Sequence, residues 1–145
     1  MAKFRFSMES ILKIKYSLEE QKKQEFGMAM KKLEAEKILL NSLNKRREDS
    51  VATFKVNVSS AINPKESADF SNYIEALKFK IEEQAIKVKR ANAEVEKKRE
   101  ELVEATKEKK KFEKLKENQH ENYIIEEKRS EQRVTDEIVS YKYNS

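Results

Sequence analysis

Cysteine is absent from all 145 residues. That excludes a disulfide framework and any thiolate metal site. The single histidine, His120, cannot by itself assemble a histidine-based metal centre. Gly27 and Pro64 are the only glycine and the only proline, so strong helix breakers are almost missing. No apolar run approaches the roughly 20 residues that a spanning helix needs. The start, "MAKFRFSMES", mixes basic and aromatic residues without a continuous apolar stretch. It does not read as a secretory signal, and a cytoplasmic chain is expected.

What is abundant is charge. Asp, Glu, Lys and Arg make up 41% of the sequence against 37% hydrophobic residues. Such a composition suits either a disordered polyampholyte or long helices that bury a narrow stripe. The net charge of +5 is unevenly placed. Residues 1–62 hold 13 Lys and Arg against 8 Asp and Glu, whereas residues 63–145 hold 19 of each. Within the second half, "KEKKKFEKLK" is basic and the stretch from Glu117 to Glu137 is acidic.

Periodicity decides between the two classes. Alternating steps of four and three from Phe70 meet Ile74, Leu77, Ile81, Gln84, Val88, Ala91, Val95, Lys98, Leu102, Ala105, Lys109, Phe112, Lys116, Gln119 and Tyr123. This repeat, averaging three and a half residues over about seven heptads, predicts a coiled-coil seam. The polar exceptions are mainly long Lys or Gln side chains. After Phe112 the apolar pattern loosens, and Ile124, Val134, Ile138 and Tyr141 follow out of phase.

The first half carries two overlapping stripes. One runs Phe26, Met30, Leu33, Lys37, Leu40, Asn44, Arg47, Val51, Phe54, Val58; the other runs Ile11, Ile14, Leu18 and on to Met28, Ala35 and Leu39. Helix is predicted throughout, with the facing positions left open between the stripes. Glu9 with Lys13, Glu19 with Lys23, Glu83 with Lys87, and Glu94 with Lys98 add i, i+4 support. Gly27 costs about 1 kcal/mol relative to alanine, too little to end so long a helix.

"NVSSAINP" replaces helix formers with turn-favouring and β-branched residues. Asn63, Pro64 and Glu66 then fit the N-cap, first and third positions of a new helix. The expected fold is all-α: one coiled-coil domain over 1–145, with a helix at about 7–60, a turn at about 60–64 and a helix at about 64–141. The two helices form an antiparallel hairpin with a longer C-terminal helix. At about 1.5 Å per residue the arms would reach roughly 80 and 115 Å. Ser7 would lie opposite residue 117 or so, leaving the acidic end of the second helix without a partner from its own chain. A kink in one continuous helix is the alternative to the turn.

The opening "KFRFSMESILKIKYSLEEQKKQEF" resembles the start of the flagellar FliJ family, through Phe4, Phe6, Ile11, Leu12, Lys15 and Glu19. "FSNYIEALKFKIEEQ" is similar to the family's pattern after the turn. The resemblance implies a non-enzymatic coiled-coil stalk or adaptor of flagellar type III export. It implies three partners: the hexameric export ATPase, the cytosolic domain of the membrane export gate, and export chaperones. By the same analogy the helical ends enter the ATPase ring, with Phe4, Phe6, Ile11, Ile14, Leu18, Ile124, Val134, Ile138 and Tyr141 as candidate contacts. Tyr73, Leu77 and Gln84 are the candidates for the gate. Location would be cytoplasmic, peripheral at the inner membrane through partners.

Each reading has a plainer counterpart. Tyr73 and Leu77 also suit packing against the returning helix, and Phe4 and Phe6 suit covering the first turn. His120 suits a solvated surface position. Catalysis needs convergent groups in a pocket, which a two-helix coil hardly supplies, so no catalytic residue, metal or cofactor is expected. The basic run Lys107–Lys116 is interrupted by Glu108 and Glu113, unlike the one-signed face of nucleic-acid readers, and no nucleic acid is expected. The alternatives are a self-associating structural coiled coil and a basic coiled coil that binds nucleic acid.

Overall fold

The computed structural model describes residues 3–58 and 63–144. They form two helices, α1 (Glu9–Val58) and α2 (Pro64–Asn144). The helices pack against each other as an antiparallel hairpin, and the second is the longer, with 81 residues against 50. Most of the expected turn, residues 59–62, lies outside the described residues. Its exit follows the sequence. The Asn63 Oδ1 accepts the Lys65 backbone N–H at 3.0 Å, and the Asn63 carbonyl accepts that of Ser67 at 3.0 Å. Asn63 is thus the N-cap, with Pro64 at the first helical position where a missing N–H costs nothing. At the other start, the Glu9 N–H donates to the Phe6 carbonyl at 3.1 Å, two residues later than the expected opening at Ser7.

Contacts divide the chain into two units, one of residues 1–22 with 102–145 and one of residues 23–101. In the second of these, Phe54 stacks on Phe70 with ring centres 3.9 Å apart. Gln84 meets Glu36, and Lys98 meets Glu25 at 3.5 Å. Partners descend along α1 as they ascend along α2, which is the antiparallel order. Leu77, Ala91 and Val95 are buried here. In the other unit the same order holds: Glu19 pairs with Lys109, Glu9 with Lys116, and the Phe4 ring lies 4.9 Å from His120. Phe6, Leu12 and Ala105 are buried in it.

The half-buried and buried positions of α2 reproduce the predicted repeat from Phe70 to Tyr123. On α1 the first of the two stripes faces inward, with Phe26, Leu33, Leu40, Asn44, Arg47, Val51, Phe54 and Val58 all partly buried, and the seam departs from it at two positions. Met30 and Lys37 are exposed, and Ala29 and Glu36 take their places against α2. The second stripe turns outward, with Ile11, Ile14, Met28, Ala35 and Leu39 all exposed and only Leu18 partly covered. At Glu36 the reason is polar: α2 brings Gln84 into its seam, and a facing carboxylate satisfies its amide where a lysine could not.

Candidate partner-binding faces

Four polar seam positions of α2, Gln84, Lys98, Lys109 and Lys116, each find a glutamate on α1. Gln84 is 3% exposed, and its amide donates to the Glu36 carbonyl at 3.0 Å and to the Glu36 carboxylate. Lys98 lies 3.5 Å from Glu25 and also reaches Glu101 at 3.3 Å and Glu94 at 3.9 Å on its own helix. Lys109 pairs with Glu19 at 3.0 Å and with Glu113 at 3.6 Å. Lys116 pairs with Glu9 at 2.9 Å. Glu19 is only 6% exposed, and the Lys109 ammonium sets an opposite charge beside it.

These partners shift the acidities. The Lys109 ammonium is held above its ordinary value, chiefly by the hydrogen bond to Glu19. Lys98 is raised chiefly by the bond to Glu101. Glu108 is held below its usual range by Lys111 at 2.9 Å, with Lys15 at 3.9 Å adding to the effect. The Tyr16 phenol is pushed up by its hydrogen bond to Glu113. The sequence reading kept Glu9 and Glu19 for lysines on their own helix. In the fold both reach α2, and this pairing of α1 glutamates with α2 seam residues was missed. The signal was present in the regular polar exceptions of the α2 repeat.

Within the basic run, Lys109 and Lys116 lie against Glu19 and Glu9 of α1 at 3.0 and 2.9 Å, and Lys111 against Glu108 of its own helix at 2.9 Å.

The unit built from residues 1–22 and 102–145 gathers all nine residues proposed from sequence for the ATPase ring. Their settings differ. Phe6 is buried, and Phe4 is half-buried between His120 and Tyr123, with ring centres at 4.9 and 5.5 Å. Leu18 is partly covered by the seam. Ile11 and Ile14 face outward, Ile14 with 63% of its surface exposed. The rest lie on the last part of α2: Ile124, Val134, Ile138 and Tyr141 are exposed, as are Ile125 and Val139 between them. From Lys128 to Asn144 every described residue is exposed.

The three gate candidates also separate. Leu77 and Gln84 are each 3% exposed and serve the seam. Tyr73 is 44% exposed and offers its ring outward. Phe79 and Ile86, on the same helix, are exposed too and were not singled out from sequence. Neither belongs to the apolar repeat, so periodicity passes over them.

No helix among the described residues is long and apolar enough to cross a membrane. Two comparisons place the chain among known proteins. Residues 4–145 match the family described as flagellar FliJ protein. Among solved structures, the chain is similar to a protein from Chlamydia trachomatis described as a YscO homolog. The TM-score is 0.62 at 20% identity, covering 98% of this chain and 96% of the other, so the likeness is one of fold. No curated protein matches it.

Proposed function

Because the chain belongs to the flagellar FliJ family, a family of coiled-coil proteins of type III export, we propose that it is a non-enzymatic adaptor joining the export ATPase to the export gate. The helical ends engage the ring of the ATPase, and the face around Tyr73 meets the cytosolic part of the gate. Export chaperones are further partners within the same apparatus.

The observation that supports the first contact most strongly is the end of α2. Ile124, Ile125, Val134, Ile138, Val139 and Tyr141 are all at least 40% exposed along a helix that α1 no longer covers. A charged helix has no physical reason to keep six large apolar residues in water, and such a surface fits a partner that buries it. Phe4 and Phe6 brace the neighbouring part of the same unit rather than offering free rings. For the gate, Tyr73 is the contact residue proposed, with Leu77 and Gln84 holding its helix in place.

The test is a binding and ATPase assay with the purified export ATPase and the full chain. Binding and stimulation are expected for the intact chain. Both should fall sharply when Ile138 and Tyr141 are changed to Ser, substitutions that touch no seam residue. Unchanged binding by that variant would overturn the assignment of the end of α2. A parallel pull-down on the gate's cytosolic domain, with Tyr73→Ala, tests the second contact.

A further inference from the structure

The apolar repeat does not by itself say how far along α2 each residue of α1 must sit. Phe26, Leu33 and Leu40 recur at intervals of seven on α1, and Phe70, Leu77, Ala91, Ala105 and Phe112 at multiples of seven on α2. Sliding one helix by seven residues therefore sets apolar against apolar again. The polar seam pairs behave differently. Gln84 is buried, and its amide donates to both the carbonyl and the carboxylate of Glu36. Displacing α1 by one heptad would put Ala29 or Leu43 opposite Gln84, according to direction. The half-buried Lys98 would meet Leu18 or Lys32 in place of Glu25, and Lys109 would meet Leu12 or Phe26 in place of Glu19. Neither setting brings a carboxylate to the facing position of any of the three. Lys98 keeps Glu94 and Glu101 on its own helix, and Lys109 keeps Glu113. Gln84 therefore discriminates most sharply, because a buried amide left without a partner is costly.

We propose that these pairs, Gln84 with Glu36 foremost, form a register lock: they admit one setting of α1 against α2 and reject the settings a heptad away. One heptad is about 10 Å of helix. In the unit of residues 1–22 with 102–145, the setting therefore fixes where the cover given by α1 stops. With Lys109 against Glu19 and Lys116 against Glu9, the Phe4 ring rests beside His120 and Tyr123, and α2 is exposed from Lys128 onward. The inference goes beyond the adaptor role and holds whichever protein meets that end.

Because the sequence has no cysteine, disulfide exchange can read the register on the full chain alone. Ala29 and Ala91 line one groove of the seam, each a heptad from Glu36 and Gln84, so A29C/A91C bridges in the native setting. Leu33 and Val88 lie between those two pairs. A bridge needs Cα atoms within about 7 Å, so F26C/V88C and L40C/V88C close only after a slip of one heptad, one for each direction. In a glutathione redox buffer the native bridge is expected to form readily and the slipped ones rarely. With Glu36→Leu and Gln84→Leu together, the slipped fraction should rise about tenfold or more, while the urea midpoint holds or climbs. E36Q/Q84E can bond across the seam again and should return the slipped fraction to the native level. Circular dichroism checks that each variant remains helical. Should E36L/Q84L lose helix, E25L/K98L puts the same question to the second pair. Slipped bridges no more frequent in the leucine variants than in the native chain overturn the proposal. A native chain that closes F26C/V88C or L40C/V88C as readily as A29C/A91C overturns it as well.

Discussion

Leu77 gives the most direct test of how this coil is held together. It is 3% exposed, on the α2 seam of the unit spanning residues 23–101. Leu77→Ala removes three carbon groups from a position shielded from water, a transfer loss of about 2 to 2.5 kcal/mol at roughly 0.8 kcal/mol per group. In a closed core a cavity penalty would be added, taking the cost toward about 5 kcal/mol. A two-helix seam has no third layer over it, so neighbouring side chains and water can fill the gap. The total should therefore stay near about 2 to 3 kcal/mol. The assay is urea unfolding followed by circular dichroism at the helical band. With a slope of roughly 1–3 kcal/mol per molar urea, the midpoint should fall by about 1–2 M. Leu39→Ala provides the contrast, because Leu39 is 48% exposed on the outward stripe and should cost about 1 kcal/mol or less. Equal losses at the two positions would refute the assignment of the seam, and a loss of about 5 kcal/mol at Leu77 would refute the open-seam reasoning.

Four further outcomes follow from particular residues. Gly27→Ala should stabilise the chain by about 0.5–1 kcal/mol in the same unfolding assay, since a Cβ there meets nothing within 4 Å and the residue lies inside α1. Asn63→Ala should cost about 1 kcal/mol and increase hydrogen exchange in the first turn of α2, because the Lys65 N–H loses its partner. Acid should loosen the unit that holds Glu108. Its folded pKa is lowered, so the stability it contributes is present above its ordinary value near 4.5 and is lost as pH falls through the lowered one. Helicity of Glu108→Gln should accordingly vary less over that acidic window than that of the native chain. The same titration carried to alkali should weaken the Lys109–Glu19 pair. The raised lysine pKa keeps that contribution intact below its ordinary value of 10.5 and loses it as pH climbs through the higher one.

The sequence by itself determined that this chain is helical, where α2 begins and which of its residues point inward. The 3.5-residue repeat from Phe70 to Tyr123 is carried within one helix, and the Asn63–Pro64 cap is a bond between near neighbours. Neither needs knowledge of a partner. The face of α1 was different. Its two stripes offered Met30 and Lys37 on equal terms with other positions, and the fold set Ala29 and Glu36 against α2 instead. Phe6 and Leu77 look alike as candidate contacts beside Ile14 and Tyr73, yet the first pair is buried and the second exposed. Only the tertiary structure decided these, because a seam is an agreement between two surfaces. A buried Gln84 or a half-buried Lys109 must meet a group that satisfies it, and the residue able to do so lies far away in the chain, beyond the reach of any local periodicity.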